Sequence, residues 1–119
     1  MTLKDKIYKL FQAIDRQDTG EFLSNLDDNV VFRFGNMPAV SGRDNTGAAV
    51  KGFFESIKAI SHKIDELWEK DDVAFFHGTV TYTRHDASTL SVPFANLFRF
   101  RDDKVSEYLI YADISELYK

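Results

Sequence analysis

Two polar residues, Asn96 and Asp113, interrupt the otherwise apolar side of a predicted hairpin near the end of the chain. The hairpin reads STLSVPFANLFRFRDDKVSEYLIYAD over residues 88–113, and its first strand places apolar residues at every second position. An amide such as Asn96 can donate a hydrogen bond to a carbonyl or a developing enolate oxygen. An apolar pocket disfavours the charged form of a carboxyl group, which suits it to acid or base work. We therefore predict Asp113 and Asn96 as catalytic residues.

A two-residue turn at Asp102-Asp103 sets the register expected for this hairpin. It pairs Arg101 with Lys104, so that Asn96 lies opposite Leu109. Asn96 and Asp113 then share one face but stand about 13 Å apart at roughly 3.3 Å per residue. They would bracket one substrate of several rings rather than bond to each other. The other pairs predicted by this register are Phe94 with Tyr111 and Val92 with Asp113.

Each polar residue also has an ordinary structural explanation. Asp113 is followed three positions later by Glu116, which is the capping-box spacing of a short terminal helix. Asn96 could be buried and satisfied by a neighbouring tyrosine or backbone group, as most buried polar groups are. The sequence leaves both alternatives open.

The ligand-binding residues that we predict are mostly aromatic. Trp68 alternates with Ile64 and Glu66 on its strand and could line a cavity, although packing in the core or in a dimer is an alternative. His77 lies in a strand of small and apolar residues, where a structural or interfacial role is the alternative. The full predicted set is Phe34, Trp68, His77, Phe94, Phe98 and Tyr111.

The three histidines, His62, His77 and His85, lack the short spacings typical of metal ligands, so no metal site is predicted. His62 and His85 fall at predicted strand ends and are expected on the surface. Arg33 is expected to form a salt bridge on the outer face of its strand, unless a rotated strand lets it bind an acidic ligand group. The chain has no Gly-rich phosphate loop and no GxSxG motif, and we expect no cofactor.

Composition excludes several classes of partner. The 119-residue chain has a formal net charge of −4, which argues against a nucleic-acid partner. No apolar run approaches the length of a membrane span, and the first residues, MTLKDKIYK, lack the apolar core of a secretory signal. The absence of cysteine fits a reducing compartment. We expect one domain over residues 1–119, in the cytoplasm, with neither membrane nor nucleic acid as a partner.

The predicted elements are helix, helix, strand, helix and then four strands joined by short turns. That order gives an α+β fold in which three helices cover one face of an antiparallel meander. A strongly curled sheet can leave an internal pocket under such helices. The predicted helices are 2–17, 19–26 and 44–60. Their predicted caps are Thr2 with Asp5, Asp18 with Glu21, and either Asp44 or Asn45. The predicted strands are 30–34, 61–70, 73–85, 89–101 and 104–112.

Four segments in this order carry a family resemblance: AIDRQD at 13–18, FLSNLDDNVVF at 22–32, SGRD at 41–44 and FRFRDDKVSEYLIYAD at 98–113. Together they resemble the nuclear-transport-factor-2-like superfamily, and within it the SnoaL-like branch. The resemblance implies a cone-shaped barrel, made of a curved antiparallel sheet packed on three N-terminal helices, with an internal pocket. It also implies a homodimer formed through the outer face of the sheet. The outer-face residues expected to pair are Leu97, Tyr108 and Ile110.

The family's catalytic positions transfer only in part. The acid of ketosteroid isomerase falls at Asn96 in this sequence, its base at or beside Arg33 and its oxyanion tyrosine at Leu10. Two of these roles are lost and the third changes from an acid to an amide, so the resemblance does not imply that isomerase. The limonene epoxide hydrolases and the SnoaL-like cyclases use an aspartate at the end of the last strand, which Asp113 matches. The Arg-x-Asp that the hydrolases place on an earlier strand is replaced here by the run from His77 to Thr81.

We therefore expect a small SnoaL-like protein that binds an apolar or aromatic small molecule. Cofactor-free acid/base chemistry of an isomerase, cyclase, dehydratase or hydrolase type is one reading. A non-catalytic ligand-binding or dimerisation module of the same fold is the other.

Overall fold

The computed structural model describes residues 2–118 of the chain. None of the described helices is long and apolar enough to cross a membrane. The helices are α1 (Leu3–Asp15), α2 (Thr19–Ser24) and α3 (Arg43–Glu55). The strands are β1 (Leu26–Phe34), β2 (Val40–Ser41), β3 (Ala59–Lys70), β4 (Val73–Thr83), β5 (Thr89–Arg101) and β6 (Lys104–Ala112).

Local capping sets where the first two helices begin. Thr2 and Asp5 form a reciprocal capping box at the start of α1, as the sequence indicates. The Asp18 side chain accepts a hydrogen bond from the backbone of Glu21 at 3.0 Å and caps α2. α2 ends at Ser24, and strand β1 already starts at Leu26, four residues before the predicted position.

Helix α3 is shorter than predicted at its C-terminal end. It starts at Arg43 after Gly42, whose φ of +93° suits glycine, so neither Asp44 nor Asn45 is its cap. It ends at Glu55 because the chain then turns into β3: the Ser56 hydroxyl donates to the carbonyl of Phe53 at 2.6 Å. The predicted helix to residue 60 is wrong, and strand β3 takes Ala59 and Ile60 instead.

The six strands form one open, mixed sheet in the order β2-β1-β6-β5-β4-β3. Strand β1 runs parallel to β6, while the other neighbouring pairs are antiparallel. The predicted α+β fold with three helices on a curved sheet is confirmed, but the sheet is not wholly antiparallel. The parallel pair follows from α3, which carries the chain from the edge of the sheet across its concave face.

A β-bulge in β6 changes the register of the last hairpin. Next to the turn, Arg101 pairs with Lys104 as predicted. The strands then slip by one residue, because Arg99 pairs with Glu107 while Phe100 pairs with Val105, which leaves Ser106 as the extra residue. A slip of one residue turns every following side chain of β6 to the opposite face.

The predicted pairings beyond the bulge are therefore wrong. The observed partner of Asn96 is Ile110 rather than Leu109, and Phe94 pairs with Ala112 rather than with Tyr111. Strand β6 ends at Ala112, so Asp113 has no partner on β5.

A second bulge lies in β3 at Asp65. Ile64 pairs with Gly78, whereas Glu66 pairs with His77, so Asp65 is unopposed. Gly78 permits this close approach because a Cβ atom there would lie 1.8 Å from the carbonyl oxygen of Lys63. After the bulge, the residues of β3 that face inward are the odd-numbered ones, such as Leu67, whereas before it they are even-numbered, such as Ile60 and Ile64.

The core between the helices and the concave face is largely aromatic. Phe11 on α1 stacks on Phe98 at a centroid distance of 6.0 Å, and Phe76 meets Phe98 edge to face at 5.2 Å. Tyr108 packs edge to face on Phe98 at 4.4 Å. All four rings of this cluster are buried.

Candidate functional site

A cavity of about 400 Å³ lies between the concave face of the sheet and helices α1 to α3. This volume is in the range of small-molecule sites. Most of the wall is apolar, with Phe34 from β1 and Phe53 from α3 in contact at 5.2 Å between ring centroids. Six residues of the lining carry polar side chains: Ser56, His62, Tyr82, Asn96, Tyr108 and Tyr118.

The mouth of the cavity is marked by lining residues that are also exposed. Met37 and Pro38 contribute from the loop between β1 and β2, Gly52 from α3 and Tyr118 from the C-terminal segment. The hydroxyls of Tyr118 and Ser56 lie 2.7 Å apart across the opening. The cavity therefore opens between α3, this loop and the C-terminal segment.

Asn96 is the buried polar group of the sheet's concave face. It lies in the middle of β5, and its side chain is 1% exposed. Its Oδ1 atom accepts no hydrogen bond from any residue in the described range 2–118. Thr46 Oγ1 on α3 and Arg33 Nε are also buried and unpaired, but neither residue lines the cavity. An unpaired buried amide is unusual, since more than nine in ten buried polar groups have a partner.

Two tyrosine hydroxyls add to the polar groups of the cavity wall. Neither Tyr82 nor Tyr108 forms a side-chain hydrogen bond with any described residue. Burial raises the pKa of the Tyr108 hydroxyl well above its ordinary value, and the charges of Tyr82 and Asp15 raise it further. Burial also raises the pKa of Tyr82, with a smaller contribution from Tyr118. Both phenols are therefore neutral hydrogen-bond donors at physiological pH.

His62 and Asp15 form a hydrogen-bonded pair at the wall. His62 Nδ1 lies 2.7 Å from Asp15 Oδ1, and the His62 backbone N–H donates to Asp15 Oδ2 at 3.2 Å. The imidazole is 9% exposed and is held edge-on between Phe11 at 4.6 Å and Phe94 at 5.2 Å. Within residues 2–118, no three His, Asp or Glu side chains gather as metal ligands would.

The sheet register explains how these groups reach one wall. His62 pairs with Val80 and Ile60 pairs with Tyr82, so all four side chains face the cavity from β3 and β4. Asp15 is the last residue of α1, four positions after the buried Phe11, and so falls on the same side of that helix.

The sequence prediction missed His62, which was expected on the surface. The signal that could have found it is its position between Ile60 and Ile64 in a period-two run. Tyr82 and Tyr108 were missed as cavity residues because tyrosine fits a core strand as well as a ligand site.

Three of the predicted site residues line the cavity, namely Asn96, Phe34 and Phe94. Phe34 reaches it because β1 runs beside β6, where Phe34 pairs with Ile110, the partner of Asn96. Phe98 lies behind the wall in the closed core and is fully buried. The structure therefore brings Asn96, Phe34 and Phe94 together at the cavity.

The other four predicted site residues lie outside the cavity. Tyr111 and Asp113 are exposed because the bulge at Ser106 turns Tyr111 outward, and β6 has ended before Asp113. Asp113 Oδ1 accepts from the backbone N–H of Ser115 at 2.9 Å, which makes a turn rather than a terminal helix. Trp68 faces outward because of the bulge at Asp65. His77 faces outward by the unbroken alternation of β4, in which Phe76 and Gly78 point inward, and its ring stacks on that of Trp68 at 5.6 Å.

The outer face of the sheet carries an apolar row across four strands, which we call the outer row. Its members pair directly across neighbouring strands: Trp68, Phe75, Leu97 and Leu109. Leu97 was expected on this face, but Tyr108 and Ile110 were also expected there and instead face the interior. Arg33 lies beside the row and donates to the Tyr111 hydroxyl at 3.2 Å, rather than forming the salt bridge that was expected.

Comparisons with known proteins agree with this architecture. A family model described as the SnoaL-like domain matches residues 7–108. A search of the curated proteins finds no match. An NTF2-like protein of unknown function from Burkholderia pseudomallei has a similar structure, with a TM-score of 0.85 at 17% identity over 96% of this chain and 92% of the other.

Two further solved structures are similar at low identity. An LEH-like epoxide hydrolase from M. tuberculosis gives a TM-score of 0.80 at 12% identity, over 94% of this chain and 83% of the other. TerC, co-crystallised with polyporic acid, gives 0.81 at 16% identity, over 96% of this chain and 93% of the other. At such identities the likeness shows the fold alone. The family match over most of the chain shows more: this protein belongs to the SnoaL-like domain family.

Proposed function

We propose that this protein binds an apolar or aromatic small molecule that carries hydrogen-bonding oxygen atoms. The observation that carries the proposal is the unpaired amide of Asn96 in the wall of a 400 Å³ apolar cavity. Leaving a buried donor or acceptor without a partner costs about 1–3 kcal/mol. A ligand that supplies the partner offsets this cost, and its apolar rings gain from the surrounding Phe and Ile side chains.

The polar groups suggest the chemistry of the ligand. The Tyr82 and Tyr108 hydroxyls can donate to a carbonyl or hydroxyl oxygen, while the Asn96 amide can donate or accept by rotation about its last bond. His62 supplies a ring nitrogen at the same wall. Ring systems with carbonyl or hydroxyl substituents match this set. The tyrosine and amide donors can bond to such a hydroxyl whether it is neutral or ionised, as those of a dihydroxyquinone are at neutral pH.

Polyporic acid, a diaryl dihydroxyquinone, is a suitable probe because the structurally similar TerC was crystallised with it. We expect it to bind with a dissociation constant on the order of 10 µM, given about 0.3 kcal/mol per non-hydrogen atom for ligands of this size. Isothermal titration calorimetry measures the constant.

A variant that blocks the cavity mouth makes the test specific. Gly52 lines the mouth, and a Cβ atom there would meet nothing within 4 Å. Gly52→Trp should keep or raise stability, because glycine is a poor helix former, and should weaken binding at least tenfold. Lys51→Trp adds the same ring to the exposed side of α3 and should bind as the wild type does. Equal affinity of wild type and Gly52→Trp would refute binding in the cavity.

The outer row is proposed as the surface through which two copies pair. Trp68 is 51% exposed and Phe75 is 40% exposed, which is unusual for aromatic side chains on a small protein. Sedimentation velocity should show a dimer at micromolar concentration, and Trp68→Glu should convert it to a monomer. A wild-type monomer at that concentration would contradict the proposal.

A further inference from the structure

The contact between His62 and Asp15 holds the imidazole in one orientation, which ligand binding alone does not require. Both carboxylate oxygens of Asp15 contact one residue: Oδ1 meets the His62 ring and Oδ2 meets its backbone N–H. This two-point contact joins the end of α1 to β3 and fixes the plane of the imidazole. Phe11 and Phe94 hold the ring from two sides.

The contact also determines which ring nitrogen of His62 is available. A carboxylate only accepts hydrogen bonds, so Nδ1 must carry the proton and donate it to Asp15. In the neutral ring the lone pair then belongs to Nε2, which forms no hydrogen bond with any residue from 2 to 118. Because His62 lines the cavity, this lone pair is available to a bound molecule.

We propose that His62 is the general acid/base of the cavity, that Asp15 is its positioning residue, and that the pair moves a proton on the carbon next to a carbonyl group of the bound molecule. The inference rests on the proposed function, since it requires a ligand in the cavity. It replaces Asp113, which is exposed and lies beyond the end of β6.

The proton transfer balances without any other reagent. Nε2 takes a proton from the carbon beside the carbonyl, so the C–H bond breaks and an N–H bond forms. The C–H electron pair becomes the C=C bond of an enolate, and the π pair of the carbonyl moves onto its oxygen. The imidazolium then returns a proton to the same carbon or to another carbon of the conjugated system.

Groups beside His62 can stabilise both charges that develop, the positive charge on the imidazolium and the negative charge on the enolate oxygen. The imidazolium faces the Asp15 carboxylate at 2.7 Å, which stabilises it by a charge-assisted hydrogen bond. The Tyr82 hydroxyl lies on the adjacent inward row of β4, two residues from Val80, the partner of His62. It is an uncommitted donor for the enolate oxygen on the same wall.

The first test needs no ligand. Long-range ¹H–¹⁵N NMR of the imidazoles distinguishes the two neutral tautomers, and wild-type His62 should show a protonated Nδ1 and a bare Nε2. In Asp15→Asn the backbone N–H of His62 should still donate to the side-chain oxygen, which leaves the new NH₂ group facing Nδ1. Nδ1 must then accept a hydrogen bond from this NH₂ group, so the ring proton should move to Nε2 while the protein remains folded.

The second test measures the proton transfer itself with 2-tetralone, a bicyclic ketone, in D₂O. Wild type should accelerate exchange of the protons at C1 by at least about 100-fold over buffer, the usual scale of general base catalysis. His62→Gln should lose the acceleration, and Asp15→Asn should lower it at least tenfold. His77→Gln, on the outer face, is the matched control and should exchange as fast as wild type.

The outcomes separate this inference from the proposed function. If 2-tetralone binds but exchanges no faster than in buffer, or if His62→Gln keeps the acceleration, the acid/base role is overturned and the binding role stands. A protonated Nε2 in wild-type His62 also overturns the acid/base role. If neither 2-tetralone nor polyporic acid binds, the proposed function itself fails.

Discussion

The two faces of the sheet are built from the same strands, but they differ in the side-chain hydrogen bonds between neighbouring strands. On the outer face, Thr81 and Ser91 bond across β4 and β5 at 2.8 Å, and Arg99 bonds to Glu107 across β5 and β6 at 3.2 Å. On the inner face, Asn96 shares no side-chain hydrogen bond with its cross-strand neighbours. These outer pairs satisfy each other's side chains, while the Asn96 amide oxygen on the inner face has no partner among the described residues.

This difference follows from which residues lie opposite each polar group on the neighbouring strands. Cross-strand pairing would satisfy the inner polar groups if they lay opposite one another, as Thr81 and Ser91 do. Instead, Asn96 lies between Phe76 and Ile110, which offer no side-chain partner. Isolation by apolar neighbours keeps the amide unpaired, at a cost in stability that binding can recover.

The largest effect should come from reversing which residues of β6 face inward. Insertion of one alanine between Glu107 and Tyr108 keeps the pairs next to the turn but turns Tyr108 and Ile110 to the outer face, because each moves one position along the strand. The loss should exceed the whole free energy of unfolding of a domain of this size, about 5–15 kcal/mol. Far-UV circular dichroism and ¹⁵N NMR should then show an unfolded chain.

Changes at Ser106 itself are the controls. Deletion of Ser106 leaves Phe100 opposite Val105 and Arg99 opposite Glu107, so Tyr108 and Ile110 still face inward and the chain should fold. Ser106→Ala removes only the hydrogen bond from its hydroxyl to the carbonyl of Arg99, at 3.1 Å, and should cost no more than about 1.5 kcal/mol. An insertion variant with a wild-type NMR spectrum would contradict the assignment of faces.

The next largest effect is the loss of stability when an aromatic residue is truncated, which should differ between the two faces of the sheet. Phe98→Ala opens a void in the closed core and should lower the free energy of unfolding by about 3–5 kcal/mol. Trp68→Ala, in the exposed outer row, should lower the stability of the monomer by less than about 1 kcal/mol. Urea denaturation at a protein concentration below dimer formation measures both, and similar losses would contradict the assignment of faces.

The buried tyrosines predict a loss of stability at alkaline pH. Burial raises the folded pKa values of Tyr82 and Tyr108 above the ordinary value of 10.0, so above pH 10 the unfolded chain releases these protons and the folded chain keeps them. Their contribution is complete below pH 10 and falls as pH rises, by about 1.4 kcal/mol per pH unit for each residue.

Phenylalanine variants isolate that contribution. In urea denaturation between pH 8 and 11, Tyr82→Phe/Tyr108→Phe should lose stability less steeply than wild type. Tyr8→Phe/Tyr111→Phe changes two exposed tyrosines and should follow the wild-type curve. Identical slopes for wild type and the buried pair of substitutions would show that these phenols ionise in the folded protein.

The smallest effect should differ in sign between the faces. Asn96→Leu removes an unpaired buried amide and should raise the free energy of unfolding by about 1 kcal/mol. Thr81→Val removes a paired hydroxyl on the outer face and should lower it by about 0.5 kcal/mol. The same Asn96→Leu protein should bind polyporic acid more weakly. Destabilisation by Asn96→Leu would mean that the amide has a structural partner, such as an ordered water.

Much of the fold followed from local signals. The capping pairs at Thr2 and Asp18 and the apolar period of α1 predicted the first two helices. The Asp102-Asp103 turn was predicted, and its positive φ values of 50° and 65° match a two-residue hairpin loop. The end of α3 was not predicted, because its apolar period continues smoothly into the inward residues of β3.

The candidate site was predicted less well, and one physical cause accounts for the main errors. Trp68 and Tyr111 were assigned from alternation, and the bulges at Asp65 and Ser106 each invert it. His77 was assigned from its small and apolar neighbours, and the alternation of β4 places it on the outer face. Gly78 is a visible hint of the first bulge, since glycine inside a strand often marks one. The second has no such hint, because residues 108–112 are apolar at every position and fit either register.

The sequence by itself determined which segments become helix or strand, the α+β class, the family and an interior rich in phenylalanine, because these depend on local period and composition. Only the tertiary structure decided which polar groups share the cavity. Side chains on a strand have two directions, and one inserted residue exchanges them, at a position that the packing of the whole sheet selects. Tertiary packing therefore turned Asp113 and Tyr111 away from the interior. It also placed His62, on β3, against Asp15, 47 residues earlier at the end of α1.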